Sequence, residues 1–246
     1  MGTVLEQLLV GPPHLSVGML TADLLRLGDE LQALPPAGID IVHIDVGDGA
    51  FSPMFTVGAP VVKALPSMLY KDAHLLVNDP LDKLDAFVAA GADIISFHVE
   101  GAPQPHRVLQ ALTAATNATD PSRGIVRGVA INPSTPVSAI EPLLELTDLV
   151  LLLAINPGWS GQHYLATTDA RVEQARALIE RAGRPIAIGI DGGITRDNVA
   201  HAASLGVNLI VSGSAIYDGR DARANAVAMK QLIRDGARVT RVAVPA

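Results

Sequence analysis

Cysteine is absent from the 246-residue sequence, and so are long apolar runs and clusters of basic residues. Without cysteine the chain can form no disulfide framework and can use no thiol in catalysis. No apolar run reaches the roughly 20 residues that a membrane-spanning helix needs. The formal net charge of −7, with no Lys/Arg cluster, argues against binding to nucleic acids or to anionic membranes. We therefore expect a cytoplasmic protein that binds neither nucleic acid nor membrane.

Short apolar runs alternate with longer amphipathic segments along the whole chain. Each run is almost entirely apolar, which is typical of parallel strands covered on both faces. Between the runs, segments such as 24–34 and 170–183 have apolar residues at helical spacing. The pattern predicts an α/β fold, a single-domain (β/α)₈ TIM barrel over 1–246 with its core at about 15–235. The eight predicted strands cover 15–20, 39–46, 72–77, 93–99, 127–131, 148–155, 186–191 and 208–213.

Ionisable side chains end three of these runs. His43 and Asp45 are two residues apart on the second, so they face the same side, while His74 lies on the third and Asp191 closes the seventh. Two of them have an ordinary alternative when taken alone: His74 as a hydrogen-bonded structural residue, and Asp191 as the cap of the next helix. Together they predict a site for Zn²⁺, Fe²⁺, Mn²⁺ or Co²⁺, since two buried carboxylates without a cation would be costly.

Glycine-rich segments follow the last three runs. They occupy 156–162, 191–193 and 212–214, and none of them contains lysine. Glycine allows backbone N–H groups to approach an anion closely, and the last loops of such barrels often bind phosphate. Turns also need glycine, so one such loop would be weak evidence. Three on neighbouring strands predict a phosphate site made of backbone amides.

With these residues in hand, the chain resembles the ribulose-phosphate 3-epimerase family from about Leu15 to Ile233. The resemblance rests on several motifs that occur in the family's order. They are LTAD (20–23), HIDVGDGAFSP (43–53), AHLLV (73–77), AGADIISFHVE (90–100), INPSTP (131–136), INPGWSGQ (155–162), IDGGIT (190–195) and VSGSAIY (211–217).

The resemblance implies a metal-dependent isomerase that inverts C3 of a ketose phosphate, D-ribulose 5-phosphate to D-xylulose 5-phosphate, through an enediolate. One divalent ion would be bound by His43, Asp45, His74 and Asp191, and the same two aspartates would transfer the protons. It also implies a homo-oligomer, a dimer or a hexamer, with a sugar phosphate as its small-molecule partner. Substrate and phosphate contacts map to Gly18, His74, Ser160, Gly161, Gln162, His163, Gly192, Gly193, Gly213 and Ser214.

The sequence departs from the family pattern around the predicted pocket. Gly18 stands where the family has a serine, and Gly47, Leu76 and Leu153 stand where it has methionines. We expect the two glycines to open volume and the leucines to keep the pocket apolar. The substrate could therefore be another ketose phosphate, such as a hexulose or tetrulose phosphate.

Two further functions are compatible with the same motifs. One is a phosphosugar aldolase or decarboxylase, which would typically carry a lysine beside the metal. Lys71, however, begins the third strand, at the wrong end. The other is a non-catalytic phosphosugar-binding protein, which would not need the two aspartates.

Four polar residues near the predicted site have open roles. Asp48 is expected to orient the loop after the second strand or a metal ligand. His98 and Glu100 end the fourth strand, where they either line the pocket or form a structural pair. Thr135 is expected to cap a helix.

Overall fold

The computed structural model describes residues 3–159 and 161–242, with side chains through Arg238. Eight parallel strands form a closed barrel in which each strand pairs with its neighbours in the chain and β8 returns to β1. The predicted TIM barrel is therefore confirmed. The strands are β1 (His14–Gly18), β2 (Ile41–Gly47), β3 (Tyr70–Leu76), β4 (Ile94–His98), β5 (Val126–Ile131), β6 (Leu149–Leu153), β7 (Ala187–Asp191) and β8 (Leu209–Ser212).

Helices after the first one follow the strands and cover the outside of the barrel. None in the described ranges is both long and apolar enough to cross a membrane. The α-helices are α1 (Val4–Leu8), α2 (Leu27–Gln32), α3 (Ala59–Ala64), α4 (Leu84–Ala89), α5 (Pro105–Ala114), α6 (Thr168–Ala182), α7 (Val199–Ser204) and α8 (Ala222–Val242). The connection between β5 and β6 is instead a 3-10 helix, Val137–Leu146, because Pro142 inside it cannot donate an α-helical hydrogen bond.

The barrel interior is divided into a polar half and an apolar half. Side chains alternate along each strand, so Val42, Ile44 and Val46 pack under the helices while the residues between them point inward. The inward positions of β1 to β4 include serines, histidines and aspartates, whereas those of β5 to β8 are apolar or glycine except for Asp191 on β7. This asymmetry places most of the inward ionisable groups on one side of the barrel.

A short helix that the sequence analysis did not predict closes the N-terminal end of the barrel. Val4 and Leu8 of α1 pack against the first inward residues of six strands: Ile41, Ile94, Val126, Leu149, Ala187 and Leu209. A capping box starts this helix, because Thr3 accepts from the Glu6 amide and Glu6 accepts from the Thr3 amide. The T-x-x-E spacing in the sequence is the signal that could have revealed it.

Candidate active site

The four predicted metal ligands converge inside the C-terminal end of the barrel. Asp45 pairs in register with His74 on the adjacent strand, and Asp191 is the last residue of β7. Asp45 Oδ1 lies 3.2 Å from His43 Nε2 and 3.0 Å from His74 Nδ1. Asp191 Oδ2 lies 3.7 Å and 3.4 Å from the same two nitrogens. One donor atom from each residue lies within 4.8 Å of all the others.

This donor set fits a divalent ion. Two imidazole nitrogens and two carboxylate oxygens are ligands that Zn²⁺ and neighbouring transition metals accept. Donors that bind one ion at about 2.1 Å are themselves roughly 3 to 4 Å apart, which is close to the separations seen here. The cluster could therefore hold a metal ion.

The electrostatics of the cluster also call for a positive charge. Burial lowers the pKa of His43, but the carboxylates of Asp72 and Asp45 outweigh it and raise that pKa well above its ordinary value. Burial likewise lowers the pKa of His74, and hydrogen bonds to Asp191 and Asp45 raise it overall. Burial raises the pKa of Asp45, but the two histidines hold it far below its usual range. Protons on the imidazoles and a bound cation are alternative sources of that charge.

His43 is held from behind by a buried carboxylate. Its Nδ1 lies 2.7 Å from Asp72 Oδ2, and the same oxygen accepts from Ser16 Oγ at 2.8 Å. A histidine that donates Nδ1–H to a carboxylate presents its Nε2 lone pair to the cluster. The sequence analysis missed Asp72, although its position two residues before His74 places both side chains on one face of β3.

His98 and Glu100 lie behind His74 rather than in the wall of the cavity. Burial lowers the pKa of His98 to about 4. Burial raises the pKa of Glu100, but hydrogen bonds from His98, Thr135 and the Asn132 amide outweigh it and lower the pKa to about 2. Of the two roles considered for this pair, the structure supports a hydrogen-bonded pair over pocket lining.

A cavity of about 370 Å³ opens from the cluster to the C-terminal face. Asp45, His74 and Asp191 form part of its wall, and Leu76 and Leu153 keep it apolar. Ser160 lies outside the described residues. The other predicted substrate contacts all line the cavity: Gly18, His74, Gly161, Gln162, His163, Gly192, Gly193, Gly213 and Ser214.

The glycine-rich loops after β7 and β8 each contain a glycine that leaves no room for a larger residue. A Cβ at Gly193, which has φ 68°, would lie 2.6 Å from the Tyr164 amide nitrogen. A Cβ at Gly213 would lie 2.6 Å from Thr21 Oγ1. Gln162 closes its own loop, because its side-chain amide donates to the carbonyls of Asn156 and Trp159. The loops after β6, β7 and β8 therefore bring backbone directly to the cavity wall.

Gly47 does not open volume, contrary to expectation. The position that its Cβ would take lies 2.4 Å from the Met54 carbonyl oxygen, so the loop after β2 already fills that space. Met54 also lines the cavity. At Gly18 a Cβ would make only an ordinary contact, 3.4 Å from the Gly213 Cα. The pocket can therefore differ at Gly18, whereas the space beside Gly47 is taken by main chain.

Asp48 orients the loop after β2, as predicted. Its carboxylate accepts from the amides of Ala50 and Phe51 at 2.9 Å, and from the Asn78 amide at 2.8 Å on the next loop. Thr135, in contrast, is not a helix cap, because its hydroxyl donates to Glu100 and the 3-10 helix starts after Pro136.

The strand lysine faces away from the site. Lys71 is buried under the helices and donates to the Ala90 carbonyl.

A second cavity of about 370 Å³ lies at the opposite end of the barrel, where Arg127 is paired with Asp148 at 2.6 Å. The ionisable cluster lines the first of these two cavities and not the second, so the first carries the candidate chemistry.

Comparisons with known proteins show which family the chain is similar to. Residues 14–217 match the model of the ribulose-phosphate 3 epimerase family. Ribulose-phosphate 3-epimerase of Rhodobacter capsulatus is 41% identical over 204 residues, covering 82% of this chain and 84% of that protein. The Bacillus subtilis protein of the same name is 35% identical over 206 residues, covering 82% and 91%.

Solved structures support the fold alone. The 3-hexulose-6-phosphate synthase of Salmonella typhimurium superimposes with a TM-score of 0.61 at 18% identity, covering 89% of this chain and 98% of that one. Mycobacterium tuberculosis tryptophan synthase superimposes with a TM-score of 0.67 at 14% identity, covering 95% and 99%.

Proposed function

Since the chain belongs to the ribulose-phosphate 3-epimerase family, we propose that it is an isomerase that interconverts D-ribulose 5-phosphate and D-xylulose 5-phosphate. The observation that carries the proposal is the meeting of two aspartates from well-separated strands. Asp45 comes from β2 and Asp191 from β7, three strands apart around the closed barrel. Inversion of a carbon needs one group on each side of a planar intermediate, and the separation of the two strands supports such an arrangement.

The proton transfers follow from that placement. One aspartate removes the proton from C3, which is adjacent to the C2 carbonyl, and leaves a planar enediolate. The other aspartate returns a proton to the opposite face, so C3 is inverted. Each aspartate is a base as the carboxylate and an acid once protonated, and the direction of the reaction decides which one acts first.

We propose that His43, Asp45, His74 and Asp191 hold one divalent ion, Zn²⁺, Fe²⁺, Mn²⁺ or Co²⁺. When bound, such an ion is a Lewis acid that stabilises negative charge on the substrate's oxygens. A bound ion would favour the ionised form of the aspartate that acts as the base, and the neutral form of both imidazoles. Removing it with a chelator should abolish activity, and adding back one of the four ions should restore it.

The phosphate would lie against the glycine-rich loops. Gly161, Gly192, Gly193 and Gly213 bring main chain to one side of the cavity, where backbone amides are suitable donors to an anion. Gly18, Gln162, His163 and Ser214 complete the proposed contacts. Ser160 belongs to the same predicted loop.

The test is conversion of a panel of ketose phosphates by the metal-loaded protein. We expect D-ribulose 5-phosphate to be epimerised at C3 with the highest kcat/KM. A higher value for a hexulose or tetrulose phosphate would replace the proposed substrate, and carbon–carbon cleavage would indicate an aldolase. Tight binding without turnover would indicate a phosphosugar-binding protein. Cytoplasmic location stays a prediction. The dimeric or hexameric state is also a prediction, and light scattering would measure it.

A further inference from the structure

A chain of hydrogen bonds behind His74 has no part in the proton transfers. His74 Nδ1 faces the cluster, and its Nε2 lies 2.9 Å from His98 Nε2. His98 Nδ1 in turn lies 3.2 Å from Glu100 Oε2. Both histidines are fully buried, and their rings stack with centroids 5.0 Å apart. The chain thus connects a predicted metal ligand to a carboxylate at the edge of the barrel.

The carboxylate of Glu100 determines which atoms donate and which accept along this series of hydrogen bonds. A carboxylate can only accept, so His98 must donate Nδ1–H to Glu100. A neutral His98 then has a lone pair at Nε2. Only one proton fits between the two facing Nε2 atoms, so His74 must carry it. His74 is left with a lone pair at Nδ1, the atom that faces Asp45 and Asp191.

Glu100 is itself firmly positioned. Its Oε1 accepts from the Asn132 amide at 2.7 Å and from the Thr135 hydroxyl, which leaves Oε2 for His98. The buried guanidinium of Arg171, on α6, donates to the carbonyls of Asn132 and Thr135 at 2.8 Å and 2.7 Å. The loop that holds Glu100 is therefore fixed by a helix on the outside of the barrel.

We propose that Glu100 and His98 are positioning residues that fix the tautomer of His74, so that its Nδ1 offers a lone pair to a divalent cation. The inference rests on the metal site of the proposed function and adds two residues outside the ligand set. His43 reaches the same state in one step, through Asp72, whereas His74 reaches it through an intervening histidine.

Glu100→Gln tests this order of donors directly. Glutamine keeps one oxygen for Asn132 and Thr135, but its NH₂ group replaces the oxygen that faces His98. His98 must then accept at Nδ1 and donate at Nε2, which places the proton of His74 on Nδ1. We expect Zn²⁺ affinity, measured by competition with a chromogenic chelator, to fall by about 10- to 100-fold.

Glu145→Gln is the matched control. Glu145 pairs with His106 at 3.2 Å on the exposed surface, so the same change there removes a His–Glu pair far from the cluster. This variant should bind Zn²⁺ as the wild type does. Circular dichroism of both metal-free variants, recorded well below their melting temperatures, separates a folding defect from a loss of affinity.

A second measurement needs no variant. Nitrogen-15 chemical shifts distinguish the two histidine tautomers, and we expect His98 of the wild type to carry its proton on Nδ1, with or without Zn²⁺. A proton on His98 Nε2, or Glu100→Gln affinity within about twofold of wild type, would overturn the proposal. Wild type that binds no divalent ion would overturn the metal site itself, whereas equal affinities of wild type and variant overturn only the positioning role.

Discussion

Replacing Gly47 with alanine tests whether the loop after β2 is packed as tightly as the structure indicates. The new Cβ would lie 2.4 Å from the Met54 carbonyl oxygen. Cβ atoms in proteins essentially never lie closer than 3.0 Å to such a neighbour. The loop cannot yield freely, because Thr56 accepts from the Gly47 amide at 2.6 Å and donates its own amide to the Gly47 carbonyl at 3.2 Å. We expect Gly47→Ala to destabilise the protein by about 1–3 kcal/mol, the usual cost of overpacking.

Thermal and urea unfolding measure this effect. For a chain of this size, the expected loss corresponds to a fall in Tm of roughly 2–12 °C. Gly28→Ala is the matched control, because a Cβ at this helical position has no neighbour within 4 Å. We expect that variant to gain about 0.4–1 kcal/mol from the reduced entropy of its unfolded chain. A Gly47→Ala variant as stable as wild type would refute the packing argument and restore the idea of an open pocket beside Gly47.

Two further predictions concern the carboxylates behind the ligands. Asp72→Asn should weaken Zn²⁺ binding by about 10- to 100-fold, because His43 loses its anionic partner. The control Asp169→Asn, at the exposed pair with His201, should bind Zn²⁺ as the wild type does. Equal Zn²⁺ affinities of Asp72→Asn and wild type would contradict the role of Asp72. The pKa of Glu100 is about 2 in the folded protein, below its ordinary 4.5. Its ionised form therefore stabilises the fold above about pH 4.5, and this contribution is lost as the pH falls towards 2. The difference in unfolding free energy between wild type and Glu100→Gln should thus be largest near neutral pH and narrow in acid, and a constant difference would exclude this linkage.

The fold was predictable because its signals are local and repeated. Each buried parallel strand appears in the sequence as a short apolar run, and all eight predicted runs overlap the observed strands. Helix α1, which closes the N-terminal end of the barrel, was missed because five residues carry too little periodicity. Only the T-x-x-E spacing indicates this helix in the sequence. The connection between β5 and β6 has helical spacing, but Pro142 makes it a 3-10 helix rather than an α-helix. The spacing of apolar residues alone does not predict this difference.

The site was predictable as far as strand geometry determines it. His43, Asp45 and His74 lie at inward positions near the C-terminal ends of paired strands, so their meeting follows from the barrel once its register is known. The filling of the space beside Gly47 by Met54 was not predictable, because it depends on the path of a loop. The bond between Thr135 and Glu100 depends likewise on contact between residues 35 positions apart.

Incorporation of solvent deuterium at C3 tests the two-aspartate reaction most directly. Metal-loaded wild type in D₂O should epimerise D-ribulose 5-phosphate and introduce one deuterium at C3 of the inverted product. Asp45→Asn and Asp191→Asn, compared at measured metal occupancy, should each lose epimerisation by at least about 100-fold, because each lacks the group for one face. Exchange from both epimers at the wild-type rate in either variant would contradict the account.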